Sequence, residues 1–449
     1  MAAQILPFPK PVASAATPLA CFVRVGEAHK KVADLHAAGH LPARQVVIEA
    51  SRYRHQRELV SAFRESGAEI VLDTEAAELA APAKFRGHSH RAPWALPDGP
   101  LGPDRFRNRA PDDVVGKIAR FAVANNVDVV LAPSHFLGDP ACTEWLLIDA
   151  AACRALRSAL DREGGSHIAI DYQVIISNAA LSDVSIRGAV LSTLADLPID
   201  NVWVRASGFG SDAGPLTMKR YLSAISGFHN LGKPIIGDYL GGIAGMTALA
   251  FGVLSGLGPG IGERERFDAG TWHKPPEPRS EDAEFGRAVR VSIPVIQRSV
   301  TLKELGLLVS AKGGTRLCGC GDRSCCPHGY KDMIADPRRH AAQQLFKSLL
   351  SLEAVPDLRR ETHFLDGPMA NMDRLARQIK ALRPAPTEAE KLGVDGGSLM
   401  KRLEQHSRRV EKLRVMLEHM HVARGDEGPR AAPMRRRELP EAKASRDQP

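Results

Sequence analysis

Eight short apolar runs punctuate the first part of the chain, and most of the stretches between them carry apolar residues three and four apart. The runs are Cys21–Val25, Gln45–Ala50, Glu69–Asp73, Val127–Ala132, His167–Tyr172, Asn201–Ala206, Pro234–Gly237 and Val253–Leu257. Several are rich in Val and Ile and almost unbroken in apolarity, as strands buried on both faces must be. Helical spacing marks Glu27–Ala38, His55–Ser66, Asp112–Asn125, Thr143–Arg162, Leu216–Leu231 and the Ala-rich Met246–Gly252. Asp112 is placed to cap one helix and Gly232 to end another. Strand–helix alternation repeated eight times predicts an α/β fold, a (β/α)8 TIM-type barrel over residues 20–266. A doubly wound open sheet is the structural alternative.

The pattern changes outside that unit. Residues 1–19 are Ala- and Pro-rich and read as a flexible lead-in. Residues 267–289 read as a linker, 290–382 as a cysteine-rich helical subdomain, and 383–423 as a second linker with an amphipathic helix. Residues 424–449 read as a disordered basic tail. In Leu399–His421, the apolar positions Leu403, Val410, Leu413 and Leu417 suit either packing on the same domain or a homodimer. One connection inside the barrel, 81–109, is too long for a plain loop. It is rich in Pro and Gly, contains Trp94, and leaves the C-terminal end of the third strand, where barrels carry their active sites. A lid or substrate loop is expected there.

Barrel chemistry sits where strands end. Asp73, Asp171 and Asp238 occupy equivalent strand-terminal places, with Arg24, Glu49, Gln173 and Arg205 at others and His135 just beyond the fourth strand. Asp73, Asp171, Asp238 and His135 are the candidate catalytic groups, suited to acid–base work, and Arg205 is suited to an anionic substrate. The last two strands run into glycine clusters containing Gly241, Gly242, Gly258 and Gly260. Such loops let backbone N–H groups approach a phosphate, whether of a substrate or of a flavin.

The chain has 449 residues, 44% apolar and 25% charged, with no apolar run long enough to span a membrane. No secretory signal is evident, so the cytoplasm is the expected location. The net charge of +8 is weighted toward the C-terminal helices and admits a nucleic acid as partner. Four of the seven cysteines are packed into CGCGDRSCCPHGYKDMIADPRRH. Zinc takes four thiolate or imidazole ligands. Cys318, Cys320, Cys325 or Cys326, and His340 or His328, are the candidate set, and four protein ligands make a structural site.

A barrel followed by a cysteine-rich helical unit resembles the tRNA-guanine transglycosylase superfamily. Cys318-Gly319-Cys320 matches that family's Cys-x-Cys, and Asp73-Thr74-Glu75 partly echoes its Asp-Ser-Gly-Gly-Phe motif. The resemblance implies Cys325 or Cys326 and then His340 as the remaining zinc ligands. It also implies exchange of a purine base in nucleic acid through an aspartate nucleophile and a second aspartate as base. Asp238 and Asp268 are the candidates for the nucleophile. Two other expectations stand beside it: a small-molecule barrel enzyme that holds a phosphate or flavin at the glycine loops, and a non-catalytic scaffold that binds a partner through its C-terminal helices.

Overall fold

Eight parallel strands close on themselves in chain order: β1 (Ala20–Arg24), β2 (Gln45–Glu49), β3 (Glu69–Asp73), β4 (Val129–Leu131), β5 (Ala169–Ser177), β6 (Val202–Ser207), β7 (Ile235–Asp238) and β8 (Gly256–Gly258). β8 pairs back onto β1 through Ala20–Gly256 and Cys21–Leu257, so this is a barrel and not an open sheet. The computed structural model describes residues 16–107, 113–138, 142–272, 289–425 and 430–434. The expected strands are all present. β5 differs most: it runs on to Ser177, five residues past the expected end.

The longer helices between strands are α1 (His29–Ala37), α2 (Arg57–Glu65), α3 (Val114–Ala124), α4 (Cys142–Arg162), α5 (Val184–Ala195), α6 (Pro215–Ser226) and α7 (Gly242–Ala250). Local chemistry starts them. Asp113 caps α3 by accepting from Gly116 N at 2.5 Å, the expected cap Asp112 lying outside the described residues, and Asp183 caps α5 by accepting from Ser185 and Ile186. Pro215 opens α6 at a position where its missing N–H costs nothing. Gly232 ends the 3-10 turn after α6 at φ +62°.

Side chains alternate across each strand, and the inward column sets the barrel's character. Its lower part is apolar: Phe22, Val47, Val71, Val129, Leu131, Ala169, Trp203 and Ile236 form one buried cluster. Two residues further along the strands the same column becomes Arg24, Glu49, Asp73, Arg205 and Asp238. The long connection 81–109 is no loose insertion where it is described. Trp94 is buried and donates from Nε1 to Thr74 O at 2.9 Å, and Leu101 N bonds Leu79 O. Residues 108 and 109 lie outside the described residues.

Most of the linker, 273–288, also lies outside them. Beyond it come a hairpin, β9 (Arg290–Ile293) and β10 (Arg298–Thr301), and the helices α8 (Leu302–Ser310), α9 (Pro337–Glu353), α10 (Ala370–Lys380) and α11 (Gly396–Arg424). Thr301 and Glu304 form a capping box on α8. This region has its own core of Val291, Ile293, Leu305, Leu308 and the four clustered cysteines. α11 joins the two cores. Leu399 and Leu403 pack into the second, whereas Val410, Leu413 and Leu417 pack against the barrel side. Its near-heptad positions are therefore spent within the chain. Part of the expected disordered tail is also packed: Ala431 N bonds Gly252 O at 2.8 Å, and Met434 touches the barrel's interior floor. No helix among the described residues is long and apolar enough to cross a membrane.

Candidate functional site

The charged layer at the C-terminal end of the barrel is a closed ion-pair network. Arg24, from β1, donates Nη1 to Asp73 Oδ2 at 2.7 Å, and Nε and Nη2 to the two oxygens of Asp238 at 2.6 and 2.9 Å. Arg205, from β6, reaches Asp73 at 3.1 Å, Asp238 at 2.8 Å and Glu78 at 2.9 Å. Gln173 adds a hydrogen bond to Asp238 at 3.2 Å. Both guanidiniums are wholly buried. Burial alone would raise the Asp73 carboxyl, but Arg24 and Arg205 outweigh it and hold Asp73 well below the usual range. Gly258 makes this packing possible, because a Cβ there would lie 3.0 Å from both Asp238 Oδ1 and Trp203.

Aromatic rings cover this floor. Tyr239 lies over Arg24 at 4.7 Å and over Arg205 at 4.5 Å, and Phe267 faces Arg205 at 5.5 Å. Phe267, Trp272, Phe136 and Tyr239 form one apolar cluster. A second ionic set flanks it: Glu49 accepts from Arg52 at 2.7 Å and also pairs with Arg264, whose guanidinium packs over Gly26. Tyr239, Glu75 and Arg264 all sit at positive φ, between 53° and 57°, the left-handed region that side chains enter only when held there. Glu75 is the unusual acid. Its Oε2 accepts from Ser51 N at 2.8 Å, and burial, with Glu49 nearby, pushes its carboxyl up to about 8. Burial likewise raises Glu78, with Arg205 opposing.

The structure sorts the expected site residues. Asp73, Arg205 and Asp238 meet. Asp171 does not join them: because β5 is longer than expected, Asp171 is its third residue and lies low in the barrel. There it binds Asn201 at 3.0 and 3.1 Å and Trp203 Nε1 at 2.8 Å. Gln173 takes the place Asp171 was expected to fill. His135 points into a different neighbourhood. Its Nδ1 lies 2.5 Å from Asp149 Oδ1, and its ring stacks on Trp145 at 3.7 Å. Burial raises the Asp149 carboxyl. Asp268 caps a short turn by accepting from Gly270 N.

The glycine clusters are filled by the chain itself. A Cβ on Gly241 would stand 2.8 Å from the Glu265 side chain, and one on Gly242, at φ +55°, would stand 3.0 Å from Ser211. The Glu265 carboxyl thus occupies the side from which a phosphate would meet the start of α7. Gly260 closes a tight turn with Glu263 O. Glu75, Glu78, Tyr239, Arg264 and Asp149 escaped the strand-end reading because they lie beyond the strands, where alternation no longer assigns a side.

The second concentration of chemistry is Cys320, Cys325, Cys326 and His340, all buried, with their ligand atoms within 4.8 Å of one another. His340 Nδ1 is 3.4 Å from each of Cys325 and Cys326, whose sulfurs are 3.5 Å apart. Tetrahedral ligands at metal–sulfur and metal–nitrogen bond lengths stand roughly 3.6–3.8 Å apart, so this group could hold a metal. His340 is fixed from behind, its Nε2 lying 3.1 Å from Ser292 O on β9, which leaves Nδ1 as the ligand atom. Cys318 is not in the group. It ends a short helix, Gly314–Cys318, and its thiol is buried in the second core. His328 is exposed and pairs with Asp332. The adjacent cysteines are thus both candidates, where one had been expected to serve.

No protein-family model matches the chain, and no curated protein matches it.

Proposed function

We propose that the chain is a barrel enzyme that handles a nucleobase or nucleotide-like group at the C-terminal mouth, in the manner of a base-exchanging transglycosylase. One observation carries the reading. Two carboxyls two residues apart are driven in opposite directions, Asp73 toward the anion by two arginines and Glu75 toward the acid by burial. Such a split assigns an acid and an anionic stabiliser to one site at neutral pH. Glu75 would donate the proton to the leaving base as its glycosidic bond breaks and, as the carboxylate, take a proton from the incoming base as the new bond forms, while Asp73 and Asp238 hold Arg24 and Arg205 in place beneath the site. Tyr239, Phe267 and Trp272 offer aromatic faces to a planar base. Entry requires Tyr239 to swing off the arginines. Zinc at Cys320, Cys325, Cys326 and His340 would be structural, since four protein ligands complete its shell.

A scaffold reading has one observation of its own: every oxygen of Asp73 and Asp238 already accepts a hydrogen bond. Radiolabelled guanine, incubated with the protein and either unlabelled tRNA or DNA, separates the two. Base exchange puts label into the polymer with wild type and not with Glu75→Gln. No incorporation into either polymer by the folded, metal-replete wild type would sink the exchange reading and favour the scaffold.

A further inference from the structure

Several arginines of the C-terminal region meet a carboxylate, among them Arg402 with Glu304, and Arg377 and Arg414 with Asp373. Arg290, Arg298 and Arg409 do not. Among the described residues none of them has a carboxylate oxygen within 4.0 Å. Arg290 donates to Ser299 O at 2.6 Å, across the hairpin. Arg409 donates to Nδ1 of His406 at 2.9 Å, and His406 Nε2 donates to Ile296 O at 3.0 Å. A ring that accepts at one nitrogen and donates at the other is a neutral imidazole, so it returns no charge to Arg409.

These cations also crowd one another. Arg298 feels Arg290 and Arg402, and Arg409 feels Arg298. The acids that offset them, Asp212 and Glu304, are each paired with another arginine, Arg266 and Arg402. Half-buried guanidiniums keep their charge, so the fold holds an uncompensated positive patch. The patch borders the barrel mouth. The hairpin turn places Gln297 Oε1 3.8 Å from where a Cβ on Gly242 would stand, and Arg298 follows directly. An open concavity of about 440 Å³ lined by Arg374, Arg377 and Arg414 is a weaker candidate, because Asp373 and Glu418 already pair with two of its arginines.

We propose that Arg298 and Arg409, flanked by Arg290, bind the phosphodiester backbone of a nucleic acid that presents its base to the mouth. The proposal rests on the nucleobase reading above. Guanidinium forks match phosphate oxygens, and contacts of this kind position a polymer without reading its sequence.

Fluorescence anisotropy with labelled tRNA and with a short DNA duplex, across a salt series, tests it on the full chain. Arg298→Gln/Arg409→Gln should weaken binding about tenfold or more at low salt. The slope of log K against log salt should fall by about 1.4–1.8, the share of two phosphate contacts. Arg298→Lys/Arg409→Lys should restore most of the slope, and Arg408→Gln, an exposed control on the same helix, should change neither quantity. If the double Gln variant does not fold, Arg298→Gln alone should lower the slope by about 0.7–0.9. An unchanged affinity and slope, or no binding of either polymer by wild type, would overturn the proposal. Salt-dependent binding that survives while base exchange fails would remove the exchange reading and leave the backbone site standing.

Discussion

The barrel mouth and the cysteine knuckle are both buried clusters of polar side chains, yet they are built on opposite principles. In the mouth each charge meets an opposite charge from another strand. Arg24 and Arg205 share Asp73 and Asp238 so completely that the network is self-sufficient. In the knuckle the four groups are all ligands of one kind, with little to offer one another but long sulfur contacts. The hydrogen bond from Cys320 even pushes the thiols apart in character, with Cys325 held down at about 4 and Cys320 raised. A self-satisfied cluster tightens a fold, whereas a cluster of donor atoms asks for a guest.

The strongest way to break the comparison is to test whether the knuckle holds such a guest. Cys326→Ser, or exposure to a strong chelator, should abolish bound metal and unfold the 290–382 region, since structural zinc supplies about 10–16 kcal/mol in small domains. Metal analysis with circular dichroism reads both. Cys318→Ala sharpens the result: it should keep the metal and cost only about 1–2 kcal/mol. Loss of metal from Cys318→Ala would put that thiol back among the ligands.

The mouth should respond less, but in its own way. Asp238→Ala leaves Arg24 and Arg205 short of a shared counter-charge and should destabilise by about 3–5 kcal/mol in denaturant unfolding, with metal content unchanged. A loss under ~1 kcal/mol would mean that the network contributes little.

Glu75 gives the smallest and most specific signal. Its folded carboxyl titrates near 8, above the value of about 4.5 expected in the unfolded chain. The folded state therefore holds a proton that the unfolded state has lost between those values. Stability should fall as pH rises through that window and level off above it. Glu75→Gln should flatten that slope. A slope that persists in Glu75→Gln would assign the proton elsewhere, with Glu265, raised to about 7 by burial, the next residue to test.

Much of this was legible in the sequence, because the barrel writes itself as near-continuous apolar strands whose inward column turns charged at one end. Phe22 then Arg24, Val71 then Asp73, and Ile236 then Asp238 are each a step of two. The same rule failed at Asp171 because it depends on knowing where a strand stops, and β5 continues through a second apolar run, Val174–Ile176, into Ser177. The glycine loops misled for a related reason: sequence shows the missing side chain but not which neighbour fills its space. In the knuckle, Cys-x-Cys spacing favoured Cys318, but the short helix that ends there turns its thiol into the core.

The segment Arg430–Met434 gives the molecule an order of assembly. Ser255 donates to Ala432 O at 2.6 Å, and Met434 rests against the apolar floor formed by Phe22, Val47 and Val71. β1 emerges early from the ribosome and these residues emerge late. The eight strands can pair long before the base of the barrel is stoppered, and until then that base stays open to water or to a chaperone.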